Sequence, residues 1–446
     1  MSDEWRTMSA AGLGRAIGAG EIDPRDLAEV FLGAIAAHPD TDRIYARTTP
    51  ERARAGADAA AARVRSGARL GPLDGVPIGW KDNYDIEGEV TEAGSMLLKG
   101  KVASRDAAAF AAATAAGLVC LGKTHMSELA FSGLGVNPIT ATPPNAFEPD
   151  RAPGGSSSGA AVSTALGLAA AGIGSDTGGS VRIPAGWNGL AGLKTTAGAI
   201  SCEGVVPLST THDTVGPLAR TVEDCGLLYA IMAGLPPEVP APADLNGARF
   251  LIPETVVLEG CDAQVAAAFE AALETLAEAG ARLTRAPVPE FAEAIDVAAR
   301  LSPIVATEGW RRWGETIEAN PGVMYPLIER RFRAGMGGSV ETDREALAEY
   351  ARLSQAVQGR MEEHGPMLMP TSPCLPPKVA DLLADDDYFS ERNLLALRNT
   401  RLGNLLTLCA LTVPSATPMA GLMLVAGPGR EGKLLALGRA VEGVVG

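Results

Sequence analysis

Lysine is scarce in this chain of 446 residues, standing only at positions 81, 99, 101, 123, 194, 378 and 433. One of them, Lys81, closes the apolar run Val76-Pro77-Ile78-Gly79-Trp80. An ammonium at the mouth of a buried strand is disfavoured by desolvation, which lowers its pKa and favours a neutral amine able to take a proton. Two serine-bearing motifs supply groups that need such a base: Gly154-Gly155-Ser156-Ser157-Ser158-Gly159 and Ser175-Asp176-Thr177-Gly178-Gly179-Ser180. A serine hydroxyl is a weak nucleophile until a neighbouring base removes its proton. A lysine at its reference pKa of about 10.4 is neutral in only about one molecule in a thousand near pH 7.4, a penalty of roughly 4 kcal/mol, so burial must help. On spacing alone, the simpler reading of Lys81 is a snorkelling cation paired with Asp82.

Other chemistries compete for the same residues. The window 154–192 holds 11 glycines in 39 residues, a density that suits close approach of backbone to backbone or to a ligand. A flexible linker would be polar throughout, whereas this one runs into an apolar, alanine-rich segment. Upstream, Gly117-Leu-Val-Cys-Leu-Gly122-Lys123-Thr124 matches the phosphate-loop pattern letter for letter. Its four variable residues are themselves an apolar strand candidate, so the loop between strand and helix that phosphate binding requires is missing. Gly155 to Gly159 also fits the G-x-S-x-G elbow with Ser157 as nucleophile. That elbow needs a strand immediately before it, and residues 148–153 read as a proline-bracketed loop. Its base would have to be His212 or His364, neither in a compelling setting.

The formal charge of −15 and pI near 4.9 argue against direct binding to nucleic acid or an anionic membrane, and a small neutral or cationic partner is easier to accommodate. The six cysteines are scattered without a CxxC pair and the four histidines stand alone, so no zinc template or other metal site is expected. The N-terminus lacks a basic-then-apolar signal pattern and no stretch approaches about 20 strongly apolar residues, which makes the cytoplasm the default expectation.

The elements that must position Lys81 and the two serine motifs follow from texture. Residues 1–70 read as helices, with Asp23-Pro24 as a cap and first-turn proline ahead of the apolar face Leu27, Val30, Phe31 and Ile35. From 71 to 240, short apolar runs alternate with alanine-rich helix candidates and glycine turns, an α/β signature. Residues 241–363 read as a mostly helical insertion, with the arginine-rich turn at 329–333 taken as a solvated face. Strand texture returns in 364–446, at Met367-Leu368-Met369 and Gly421 to Val425, before a last helix from Glu431 to Val444. No linker or repeat divides these parts, and one compact domain is expected.

Taken together, GVPIGWKDNYD around Lys81, APGGSSSGAA around Ser156 and GSDTGGSVRIPAGWNGLAGLK around Ser180 resemble the amidase signature family, whose motifs fall at similar spacings. The resemblance covers about 70 to 235 and, more weakly, 367–373 and 411 to the C-terminal helix. It implies an α/β fold with a mixed, twisted central sheet covered by helices on both faces, and a Ser-cisSer-Lys triad needing neither metal nor cofactor. Ser180 would be the nucleophile, Ser156 the bridging serine following a cis Gly155-Ser156 peptide, and Lys81 the base. Backbone amides of Thr177, Gly178, Gly179 and Ser180 would form the oxyanion hole, a kind of site in which each donor is worth about 3 kcal/mol. Ser157, Asp176 and Arg182 would support them from behind, and Met126 and Phe131 would line the substrate pocket.

The resemblance further implies a small-molecule amide as substrate, or a urea-type amide such as allophanate, to whose hydrolases the run at 204–207 is similar. Its alternatives are the amidase component of a tRNA-dependent amidotransferase, which passes ammonia to a partner, and a catalytically silent binding protein on the same fold. Dimers are common in the family. Departures from the family pattern, GGSSSGAA for GGSSGGSAA, Gly192-Leu-Lys-Thr-Thr196 for GLKPT, and His125 in place of an asparagine, leave the triad positions intact and the subfamily open.

Overall fold

The computed structural model describes residues 2–446. Eleven strands form one mixed sheet: β1 (Tyr45–Thr48), β2 (Pro77–Lys81), β3 (Val119–Thr124), β4 (Ala171–Asp176), β5 (Ala191–Lys194), β6 (Thr214–Ala219), β7 (Arg249–Pro253), β8 (Arg282–Ala286), β9 (Met367–Pro370), β10 (Cys409–Val413) and β11 (Leu422–Ala426). Their order across the sheet is β1-β3-β2-β4-β6-β5-β10-β11-β9-β7-β8. Every residue of β2, β3, β4, β6, β10 and β11 is buried, as strands covered by helices on both faces must be. The single α/β domain expected from the sequence is the one observed.

The first 70 residues are helical apart from β1, and the Asp23 side chain accepts from the Arg25 amide ahead of the helix Pro24–Ala37. The insertion is likewise mainly helical but contributes β7 and β8. Both end strands escape the texture argument for one reason: β1 reads Tyr-Ala-Arg-Thr and β8 reads Arg-Leu-Thr-Arg-Ala, with no residue of β8 fully buried. Charged, short edge strands protect the sheet from further pairing and so look like turn or helix surface in one dimension.

What positions the chemistry is the centre of the sheet. β2 runs parallel to β4 with Trp80 opposite Ile173, so Lys81 and Ser175 emerge side by side at the carboxyl ends of adjacent strands. That is where open α/β sheets place their ligands. The helix Ser158–Ala165 packs on β4 so closely that a Cβ on Gly174 would lie 2.5 Å from Ser157 Oγ. Glycine in β4 thereby brings the GGSSSG segment onto the strand that leads into the Ser180 turn.

Candidate active site

Lys81 is wholly buried. Its Nζ lies 2.7 Å from Ser156 Oγ, 2.8 Å from Ser175 Oγ and 3.2 Å from the Ser175 carbonyl. Asn83 Nδ2 donates to the same Ser175 Oγ at 3.0 Å. Burial pulls the Lys81 pKa down to about 7, opposed by the negative charges of Asp176 and Asp213. A lysine shifted this far is neutral near neutral pH far more often than an ordinary one, and most of the penalty disappears.

Asp82 is not the partner of Lys81. Asp82 lies in the turn just past β2 and instead takes Arg47 at 2.7 Å and Lys123 at 3.2 Å. Lys123, the lysine of the phosphate-loop pattern, also donates to Val90 O and Thr91 Oγ1, and it sits within β3 rather than ahead of a helix.

The peptide between Gly155 and Ser156 is cis. The two serine segments are tied together by the Ser157 amide donating to the Ser180 carbonyl at 3.1 Å, while Ser157 Oγ donates to the Ser175 carbonyl at 3.3 Å. Ser157 thus follows a loop rather than a strand, and its hydroxyl is engaged with backbone. Ser180, 3% exposed, opens with Thr177 and Gly178 onto a cavity of about 280 Å³.

Asp176 at the end of β4 organises the turn. Its carboxylate accepts from the amides of Gly179 (2.8 Å) and Val181 (3.0 Å), from Arg182 Nε (3.0 Å) and Nη2 (2.9 Å), and from Asn404 Nδ2 (2.9 Å). Burial alone would raise its pKa, but the Arg182 charge and these hydrogen bonds hold it below the ordinary carboxylate range. Arg182 is taken up by this brace, with further bonds to the Thr400 carbonyl and Asn404 Oδ1.

One expectation needs correction here. The Gly179 amide is committed to Asp176, so of the four expected oxyanion donors three, Thr177, Gly178 and Ser180, have amides without an acceptor among the described residues. Gly179 serves geometry instead: at φ +141° a Cβ there would collide with Thr400 Oγ1. Met126, expected in the pocket wall, is fully buried behind it: it packs with Phe131 but does not line the cavity, and its carbonyl accepts from Asn137. Phe131 does line the cavity. Residues missed in the sequence include Ser175 and Asp213, whose carboxylate accepts from Thr177 Oγ1 and the Leu208 and Ser209 amides. Burial raises the Asp213 pKa to about 6.

A family model described as Amidase matches residues 26–435. The chain belongs to the amidase signature family. It is 37% identical, over 98% of its length and 97% of the relative's, to 2-amino-5-chloromuconic acid deaminase of Comamonas testosteroni. It is 34% identical, over 98% and 96%, to one component of the glutamyl-tRNA(Gln) amidotransferase of Chloroflexus aggregans. A crystal structure of an amidase superimposes with TM-score 0.89 at 31% identity, covering 98% of this chain and 100% of that one. The family acts on amide-type C–N bonds, and this chain is an amidohydrolase. Among the described residues no cluster could hold a metal ion, and no helix is long and apolar enough to cross a membrane.

Proposed function

We propose that the chain hydrolyses a small-molecule amide through an acyl-enzyme on Ser180. Ser180 Oγ attacks the carbonyl carbon as its proton passes to Ser156, whose own proton goes to neutral Lys81. The developing oxyanion sits among the amides of Thr177, Gly178 and Ser180. Collapse breaks the C–N bond, and the Lys81 proton returns through Ser156 to the leaving amine; water then repeats the sequence to free the acid. The observation that carries this reading is the fully buried Lys81, with Nζ 2.7 Å from Ser156 Oγ and a pKa lowered to about 7. The reducing cytoplasm suits six cysteines that are all free thiols.

The test is peptide mapping after treatment with a fluorophosphonate, alongside a panel of amides, ureas and glutamine. A single adduct on Ser180 with turnover of at least one amide supports the mechanism. An adduct on Ser157, or turnover that survives Ser180→Ala, overturns it. The amidotransferase relative at 34% identity favours a second reading, in which the ammonia goes to a partner protein. Glutaminase activity appearing only with a copurifying chain would select it.

A further inference from the structure

The cavity that Ser180 opens onto contains two arginines that the mechanism does not use. Arg331 comes from the helix Pro326–Arg333, Arg401 from the helix Asp386–Leu405, and Tyr350 from the helix Val340–His364. All three line the cavity together with Ser180. The turn at 329–333 is therefore only in part a solvated face: Arg333 pairs with Glu329 on the surface, whereas Arg331 turns inward.

Among the described residues, neither Arg331 nor Arg401 makes a hydrogen bond or ion pair. Nε of each is buried without an acceptor, and so is the hydroxyl of Tyr350, a residue only 2% exposed. Arg331 lies with its guanidinium carbon 4.5 Å from the centre of the Phe131 ring, which fixes the plane of the fork but offers it no anion. Burial and the neighbouring Arg401 lower the Arg331 pKa to about 10, so it stays charged near neutrality.

Elsewhere in the molecule, sheltered arginines have partners: Arg63 has Asp74, Arg360 has Glu290, and Arg220 has five backbone carbonyls. Arg69 and Arg392 also leave Nε without an acceptor, but each donates through Nη2, Arg69 to the Pro72 and Asp74 carbonyls and Arg392 to Asp262. Sheltered charge without a partner is expensive, and two such cations facing one small cavity describe half of an ion pair. The rest of the lining is largely apolar, Leu208, Ile304 and Leu397 among it, and contains no Asp or Glu.

We propose that the cavity takes amides whose acyl chain carries a second, ionised carboxyl group, held by the Arg331 and Arg401 guanidiniums with the Tyr350 hydroxyl as a further donor: half-amides of short dicarboxylic acids. The inference rests on the reading of Ser180 as the acylated residue only for the orientation of the chain, with the amide toward Ser180 and the carboxylate toward the arginines. It reverses what the net charge of −15 suggests, because recognition is decided by the charge of the cavity rather than that of the whole surface. Glutamine meets the same description through its α-carboxylate, but its ammonium finds no acid in the lining, so half-amides without an ammonium are favoured over it.

The test separates binding from chemistry. Succinic, glutaric and adipic half-amides are titrated calorimetrically against the Ser180→Ala protein, beside the neutral diamides of the same lengths. At least one half-amide binds about ten-fold or more tighter than its diamide, as charge-assisted bidentate pairing predicts. Adding Arg331→Gln or Arg401→Gln collapses that ratio toward one, and the lysine variants restore part of it. Equal or tighter binding of every diamide overturns the proposal, as does a preference that survives both glutamine variants. Should those variants fail to fold, the same ratio in KM and in kcat for the unaltered enzyme decides alone: a preference for the half-amide upholds the proposal, and none refutes it. Half-amide binding without turnover or Ser180 labelling would remove the proposed mechanism but leave the carboxylate site. Turnover of neutral amides with no carboxylate preference would do the opposite.

Discussion

Arg182 and the pair Arg331 and Arg401 stand around the same serine loop and are treated in opposite ways. Arg182 is 0% exposed and complete in itself: two bonds to Asp176, one to Asn404 and one to the Thr400 carbonyl. Asp176 in turn fixes the Gly179 and Val181 amides on either side of Ser180. Arg331 and Arg401 have no acceptor at all among the described residues. The contrast teaches that residue type says little about role, whereas the balance of donors and acceptors says a great deal. A satisfied charge belongs to the scaffold, and an unsatisfied one beside a cavity belongs to the ligand.

This comparison can be broken most forcefully at Arg182. Arg182→Met leaves the Asp176 carboxylate buried without its guanidinium partner, and should lower stability by about 3–5 kcal/mol with loosening of the turn. Chemical denaturation measures it, and an unchanged midpoint would remove Arg182 from the scaffold. Lys81→Met should lower kcat/KM by about a thousand-fold or more, because Ser180 loses the base that takes its proton. The same change deletes a lysine whose charged form burial penalises, so Tm should fall little. A large loss of Tm with activity per folded molecule preserved would make Lys81 structural.

Smaller effects sharpen the contrast. Arg331→Met removes a cation that no protein group needs, and should leave stability within about 1 kcal/mol of the parent or raise it. A fall comparable to that of Arg182→Met would show that both arginines are scaffold. Smallest of all, Met126→Leu should leave KM unaltered, since Met126 is packed away from the cavity, while Phe131→Leu should change KM several-fold by freeing the Arg331 fork. Steady-state kinetics on the two variants distinguishes wall from core.

The parts of the site legible in the sequence were those whose chemistry is local. GGSSSG and SDTGGS are short runs in which glycine gives the backbone its path, and the apolar run before Lys81 shows burial directly. Asp82 misled because its partners, Arg47 and Lys123, come from other strands and adjacency in sequence does not show them. Arg331 was hidden by its neighbours: Arg330 and Arg333 on the same short helix are surface residues, and no periodicity distinguishes the one that turns inward without knowing what packs there. Edge strands β1 and β8 were missed because their polar sequences answer to protection from pairing rather than to burial.

The central claim is that Lys81 is the base for Ser180, and it carries a sign. Its folded pKa is about 7 against 10.5 for an ordinary lysine. Between those values the unfolded chain binds the extra proton, so stability from this group rises with pH from about 7 to 10.5, and its burial penalty is largest below 7. Reactivity follows the neutral amine and rises as pH climbs through 7. The most direct measurement is the rate of fluorophosphonate labelling of Ser180 from pH 5 to 9, in the parent and in Lys81→Met. The account requires a rate that climbs about ten-fold per unit below 7 and levels off above it, and a slow, flat profile in the variant. A parent profile that is flat through 7, or a variant that keeps the parent's profile, would contradict it.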